Sequence, residues 1–202
     1  MKQISVLASR FSLLILLIAS LVIPASSQGA SAPPAPAPTS GVRAEFLDDL
    51  KVQEDKYVSL AQAIPADKYT WRPAEGVRSI SEVFLHVAAA NYNLPKLFGV
   101  QPPADFKVQG FDKSTTDKAK VVQTLQDAFA HMRTAVVGMP ESDMDKLVSF
   151  RGGKKSTRAV LVFILEHNAE HLGQSIAYAR MNGVTPPWTE EQQKKAQSQS
   201  KQ

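Results

Sequence analysis

The chain of 202 residues contains no cysteine, and this absence excludes several kinds of site. Disulfides, thiolate-bound metals, iron–sulfur clusters and cysteine nucleophiles all require that side chain. A lipid anchor attached to cysteine is excluded for the same reason. Any metal or catalytic chemistry must therefore come from histidine, carboxylate, amide or hydroxyl groups.

The chain also lacks a strong excess of one charge. Its 23 Lys and Arg residues nearly balance its 19 Asp and Glu residues, and aromatic residues make up only 7% of the sequence. Nucleic-acid-binding domains usually carry a basic patch or stripe. Here adjacent lysines occur only at 154–155 and 194–195, in a predicted loop and in the polar tail. We therefore expect no nucleic-acid partner.

Long apolar segments are scarce as well, and the clearest one lies at the N-terminus. Lys2 and Arg10 precede an apolar run at 11–24, and the small residues 25–27 follow it. A basic start, a short apolar segment and a small-residue cleavage site are typical of a secretory signal peptide. This pattern predicts cleavage before Gln28 and export to the periplasm or the extracellular space.

The apolar part of that segment is short, and this bears on membrane insertion. Residues 13–23 fall well below the roughly 20 residues that a bilayer-spanning helix needs. We therefore interpret 1–27 as a signal peptide, with an uncleaved anchor as the alternative, and expect no membrane insertion after cleavage. A Pro/Ala-rich linker is predicted at 28–40, a folded domain at 41–188 and a polar, frayed tail at 189–202.

Between the linker and the tail, apolar residues recur with the period of a helix. No segment shows convincing strand alternation, and the glycine-containing stretch at 151–156 is predicted to be a loop. The fold class is therefore all-α, a four-helix bundle. The predicted helices are 42–64, 79–94, 114–137 and 157–182.

Three local signals support these helix boundaries. Ser79 followed by Glu82 predicts a capping box, in which each side chain accepts a hydrogen bond from the other residue's backbone N–H. Ser114 with Asp117 is the corresponding candidate for the third helix. Gly183 is typical of the residue that follows a helix C-terminus, and Pro186 prevents continuation.

Two of the four histidines have the spacing of a metal site. His167 and His171 are four residues apart and so lie one turn apart on one face of the fourth helix. That face also carries apolar residues, and His86 lies beside the apolar stripe of the second helix. Three inward imidazoles would be costly to bury without partners, and one shared cation would satisfy all three.

Such a set fits zinc, nickel or ferrous iron. Three protein ligands leave coordination positions open, as in a catalytic site rather than a closed structural one. The alternative from the residues alone is that each histidine is an ordinary core residue. His131 provides the contrast, since it lies off its helix's apolar stripe and is predicted to be exposed.

The segment from His167 to His171 also matches the H-x-x-E-H pattern of some zinc peptidases. Those enzymes need a further carboxylate ligand well downstream, and here the acidic residues that follow, Glu190 and Glu191, lie in the predicted polar tail. We therefore reject a peptidase. Glu170 is then a candidate for a hydrogen bond to one of the histidines, since metal-bound imidazoles usually donate their second N–H.

Two segments together resemble a known family. Trp71-Arg-Pro-Ala-Glu-Gly-Val-Arg-Ser-Ile-Ser-Glu-Val-Phe-Leu-His86 and Glu166-His-Asn-Ala-Glu-His-Leu-Gly-Gln174 are similar to the second-helix and last-helix signatures of the DinB-like superfamily. The resemblance spans roughly 41–188. It implies a bundle in up-down-down-up order and a divalent metal held by His86, His167 and His171.

The resemblance also bears on activity. Characterised relatives include metal-dependent transferases and isomerases that use low-molecular-weight thiols, which are scarce outside the cytoplasm. An exported member is therefore expected to be a metal-dependent hydrolase or transferase that acts on a small molecule. One alternative is a bundle that binds metal or a ligand without catalysis, in the envelope stress response. A structural bundle without metal is another. A homodimer is a weaker expectation. Candidate pocket residues are Tyr92, Asn93, Gln174 and Tyr178.

Overall fold

The structure, a computed structural model, describes residues 36–200. The predicted signal peptide and most of the predicted linker lie outside the described residues. Within the described range, no helix combines the length and the hydrophobicity needed to cross a membrane. The elements are α1 Val42–Ala63, α2 Ile80–Asn93, α3 Lys118–Val137, β1 Leu147–Phe150, β2 Gly153–Ser156, α4 Thr157–Met181 and α5 Pro187–Gln199.

Helix α2 begins where its capping box predicts. The Glu82 backbone N–H donates to the Ser79 hydroxyl at 3.3 Å, and the Ser79 N–H donates to the Glu82 carboxylate at 2.8 Å. Helix α3 begins later than expected, because the Asp117 carboxylate accepts from the Lys120 N–H at 2.9 Å and so caps the helix itself. The proposed cap at Ser114 was therefore wrong.

The C-terminus of α4 also follows from its sequence. Gly183 adopts a φ of 75°, in the left-handed region that glycine tolerates best. This conformation lets the Gly183 and Val184 N–H groups donate to the carbonyls of Arg180 and Ala179, at 3.0 and 2.9 Å. These are the two hydrogen bonds of a Schellman motif, and they satisfy carbonyls that the helix leaves unpaired.

Hydrogen bonds between α1 and α4 show that these helices run in the same direction. The Gln53 side chain donates to the Leu165 carbonyl at 3.1 Å, and one turn later the Tyr57 hydroxyl donates to the Asn168 carbonyl at 2.6 Å. The contacts therefore advance along α1 and along α4 in the same direction of the chain. Helices α1 and α4 are therefore parallel neighbours.

The other helix pairs run in opposite directions. Near the start of α1, Arg43 reaches the Val136 carbonyl at the end of α3, whereas Lys118 at the start of α3 donates to the Gln62 carbonyl at the end of α1. Helix α2 likewise contacts α4 in antiparallel fashion, through the pairs His86–His171 and Asn91–Asn168. The order is therefore up-down-down-up, which confirms the predicted bundle. The long connection at 94–117 lets α2 and α3 run in parallel.

The core lies between the four long helices and centres on aromatic side chains. Tyr57 of α1 contacts Phe84 of α2 edge-on, with ring centroids 6.3 Å apart, and Phe129 of α3 at 5.6 Å. All three are completely buried. Burying such a ring contributes about 1.5–3 kcal/mol, so this contact ties three helices together and sets the spacing at which α2 faces α4.

Two elements were not expected from the sequence. Strands β1 and β2 form an antiparallel hairpin in which Phe150 pairs with Gly153, where a loop was predicted. Strand β1 has only four residues and β2 is mostly exposed and contains two lysines, so the alternation is too short to be recognised. Helix α5 replaces the predicted frayed tail. Its start is favoured by Pro187 in the first turn.

Candidate metal centre and adjoining pocket

Three histidines from two helices meet at one point of the bundle. His86 lies in the middle of α2, and His167 and His171 lie one turn apart on α4. One ligand nitrogen from each residue lies within 4.8 Å of the other two. The ring centroids are 4.6–5.1 Å apart, and all three side chains are partly buried.

The nitrogen spacing suits a shared metal ion. His86 Nε2 and His167 Nε2 lie 3.2 Å apart. Two nitrogens bound to one tetrahedral zinc ion at about 2.0–2.1 Å lie about 3.3 Å apart. The two imidazoles therefore need little movement to bind one cation. Without a cation, one of them can donate a hydrogen bond to the other across the same gap.

The electrostatic environment favours neutral imidazoles, the form that binds metal. Burial lowers the pKa of His86 to about 4, and the positive charge of Arg78 adds to the effect. Burial also lowers the pKa of His167 to about 4, with a further contribution from neighbouring His171. Both residues are therefore unprotonated near neutral pH, with a lone pair available on each ring.

His171 is oriented by a chain of polar contacts along α4. Its Nδ1 lies 2.9 Å from the Gln174 side-chain oxygen, and the Gln174 amide donates to the Tyr178 hydroxyl at 2.9 Å. An amide oxygen can only accept, so Nδ1 carries the proton and Nε2 keeps the lone pair. Trp71 packs edge-on against Tyr178 at 5.4 Å and holds the end of the chain. Such partners raise metal affinity by fixing the imidazole tautomer.

A pocket of about 290 Å³ opens beside the histidines. His86 and His167 form part of its wall, so two of the three imidazoles face a space that a small molecule can enter. Phe150 of β1 and Phe163 of α4 supply apolar surface. The polar wall residues are Arg78, Asn93, Asp112 and Arg151. Arg78 and Asp112 form an ion pair at 3.3 Å.

The structure places the other candidate residues in different surroundings. Asn93 lines the pocket, and Gln174 and Tyr178 belong to the chain that orients His171. Glu170 is exposed and makes no hydrogen bond to the three histidines. Tyr92 lies away from the histidine group, among the aromatic residues that face α3.

The prediction that His131 is exposed was wrong. Its ring packs against Tyr92 with centroids 5.6 Å apart, and its Nε2 is buried without a hydrogen-bond partner among the described residues. Burial lowers its pKa. Asp127 one turn earlier suggested a solvated face, but the connection between α2 and α3 folds back and places Phe106 and Phe111 beside Tyr92.

Sequence reasoning missed most of the pocket's polar wall. Arg151 lies in the loop predicted at 151–156, and neither Arg78 nor Asp112 was a candidate pocket residue. One feature could have marked Arg151 as a candidate functional residue. It lies between Phe150 and Gly152, in a two-residue hairpin turn where arginine is uncommon. That signal could be read only once the hairpin was known.

Comparison with known proteins agrees with this geometry. The family model of the DinB superfamily matches residues 49–175, which is more than half of the chain. The chain belongs to the DinB superfamily. Two solved structures are similar in fold. One is a DinB-like protein of Bacillus cereus, with a TM-score of 0.63 and 16% identity, and the other is a DinB-like protein of Bacillus subtilis, with a TM-score of 0.54 and 22% identity.

Each of these two structural matches covers 70% of this chain and 93% of the solved chain. At such low identity the likeness concerns the DinB fold alone. No protein with a curated function matches the sequence. What this member of the DinB superfamily does must therefore be inferred from its own histidine group and pocket.

Proposed function

We propose that the protein is a metal-dependent enzyme that acts on a small molecule bound in the pocket beside His86, His167 and His171. The observation that carries the proposal is that two of the three histidines line a pocket. A purely structural metal site is normally closed by four protein ligands. Here three ligands converge, and the remaining side is open to a small molecule.

The three histidines would hold the divalent cation, for which zinc, nickel and ferrous iron are the candidates. When bound, the cation would supply Lewis acidity and lower the pKa of a bound water or substrate heteroatom. The chain's own residues have separate tasks. Gln174 keeps the proton on Nδ1 of His171, Phe150 and Phe163 exclude water, and the polar wall positions the substrate.

Hydrolysis is the first reaction to test, with transfer to a thiol as the second. The reason is the N-terminal sequence, because export, which is part of this proposal, would separate the protein from cytoplasmic low-molecular-weight thiols. N-terminal sequencing of the mature protein tests export. A mature chain that begins at Gln28 supports it, and retention of Met1 argues against cleavage.

One observation favours a second candidate, a binding protein without turnover. Among the described residues, Asp112 is the only carboxylate that lines the pocket, and it is already paired with Arg78. A general base must be free to accept a proton at the substrate. If Asp112 stays engaged, the site would bind metal and ligand without catalysing a reaction.

The deciding experiment combines metal analysis with turnover. The full chain is loaded with zinc, nickel or ferrous iron and assayed against p-nitrophenyl esters of carboxylic and phosphoric acids, and against a thiol with an aromatic halide. We expect turnover from the loaded protein and none from the chelated protein or from His171→Ala. Stoichiometric metal with no turnover across the panel would support the binding protein. Full activity in His171→Ala would overturn both.

A further inference from the structure

The hairpin of β1 and β2 places a positively charged side chain, that of Arg151, at the pocket. Arg151 follows β1 directly, and its guanidinium carbon lies 4.4 Å from the centre of the Phe163 ring and 5.6 Å from that of Phe150. Both rings belong to the pocket wall. The guanidinium is thus stacked over the apolar part of the site.

Arg151 differs from Arg78 in its partners. Arg78 is neutralised by Asp112 at 3.3 Å, whereas Arg151 makes no ion pair and no hydrogen bond within residues 36–200. Stacking on an aromatic ring restrains the planar guanidinium but uses none of its five N–H donors. The donors of Arg151 therefore remain available to a ligand, next to His167.

The backbone at Arg151 is itself unusual. Its φ is 49°, and it is the one residue other than glycine with a positive φ among those the structure describes. With Gly152 at a φ of 79°, it forms a two-residue turn in which both positions are left-handed. Asparagine, aspartate and glycine suit such a turn far better than arginine. Strain of this kind is concentrated at functional sites.

We propose that Arg151 is a specificity residue that binds an oxyanionic group, a carboxylate or a phosphate, at one end of the substrate. The apolar body of the substrate would lie between Phe150 and Phe163, with its other end toward the three histidines. A guanidinium can form two parallel hydrogen bonds with either oxyanion. This inference rests on the proposed function, since it assigns a substrate class to the same pocket.

The test uses metal-free protein, so that no cation can bind the anion instead. Dissociation constants are measured by ligand-observed NMR for three probes: 3-phenylpropanoate, its uncharged analogue 3-phenylpropanamide, and phenyl phosphate. In the wild type we expect an anionic probe to bind about tenfold more tightly than the amide, the effect of one charge-assisted contact. The tighter of the two anions identifies the preferred group.

Variants distinguish the effect of Arg151 on anion binding from the effect of the hairpin's other positive charges. Arg151→Gln should remove the preference for anions, and Arg151→Lys should retain part of it. Lys155→Gln, which removes the same charge from an exposed position on β2, should leave the preference unchanged. Arg151→Asn should also lose the preference without lowering the melting temperature, because asparagine fits the turn.

Equal binding of the amide and of both anionic probes by the wild type would overturn the proposal. So would an unchanged preference in Arg151→Gln, or an equal loss in Lys155→Gln. These outcomes are independent of the proposed function, whose failure would appear as missing metal or missing turnover in the loaded protein. Anion binding through Arg151 could then still be measured in the metal-free chain.

Discussion

Helix α2 contacts histidines on two sides, toward α4 and toward α3, and the surroundings of these histidines differ. Toward α4, His86 faces two other imidazoles, with Nε2 of His167 only 3.2 Å away. Toward α3, His131 packs against the ring of Tyr92, and its buried Nε2 has no hydrogen-bond partner among the described residues. Burial lowers the pKa of His86, His167 and His131 alike.

The comparison shows that burial and a lowered pKa do not identify a metal ligand. They keep an imidazole neutral in both places. What distinguishes the two sides is whether other nitrogens lie close enough to bind the same cation, and whether a pocket opens next to them. His131 lacks the first condition, so we interpret it as a partly buried residue that packs on Tyr92 and carries an unsatisfied polar atom.

The largest expected effect concerns metal content. His167→Ala should reduce bound zinc, nickel or iron from about one ion per chain to none, because it removes one of only three protein ligands, the number that open metal sites use. His131→Ala should leave the metal content unchanged. Elemental analysis of both purified variants checks this. Equal loss of metal in both would break the distinction between the two sides of α2.

The second prediction concerns acid stability of the metal-free protein. His86 and His167 have a folded-state pKa near 4, against an ordinary value of 6.5. Between these values the unfolded chain binds more protons than the folded chain, so stability is complete above pH 6.5 and falls as the pH drops toward 4. Melting curves between pH 4 and 8 should show this loss.

The matched control for acid stability is the double variant His86→Gln/His167→Gln. It lacks both titrating groups, so its melting temperature should depend less on pH between 4 and 6.5 than that of the wild type. If the two profiles run parallel, then groups other than these histidines govern acid unfolding.

A smaller effect is expected from the residue that orients His171. Gln174→Ala removes the acceptor 2.9 Å from Nδ1, and loss of such a partner typically weakens metal binding about 10–100-fold. Gln123→Ala is the control, because Gln123 makes a similar contact with Asp127 on the exposed face of α3. Competition with a metal-binding dye gives both affinities, and an unaltered affinity in Gln174→Ala would remove its assigned role.

The smallest effect has the opposite sign. His131→Phe replaces a buried ring nitrogen that has no partner with an apolar edge, which should raise the free energy of unfolding by about 1 kcal/mol. The same change at His167 should abolish metal binding. Urea unfolding of the metal-free proteins measures the first effect. Destabilisation by His131→Phe would show that His131 has a polar role after all.

Local chemistry explains which features could be predicted. The capping box at Ser79 and the C-terminal glycine at Gly183 depend on neighbouring residues only, and the structure confirms both. The four long helices follow from apolar periodicity, because apolar residues at helical spacing give each helix one face that packs into a common core. The hairpin and α5 were missed, since neither has an apolar face strong enough to be seen in sequence alone.

The sequence by itself determined the four long helices, the start of α2, the end of α4 and the i, i+4 spacing that places His167 and His171 on one face, because these depend on contacts within a turn or two. The sequence also predicted that His86 joins this pair, but only the tertiary structure decided how closely the three nitrogens approach and where His131 lies. The antiparallel crossing of α2 and α4 brings His86 to His167, and the packing of α2 against α3 places the ring of His131 against that of Tyr92. The position of Arg151 over Phe163 likewise depends on a hairpin packing against α4. Contacts between distant segments are set by the packing of the whole bundle, which the residues near each histidine do not encode.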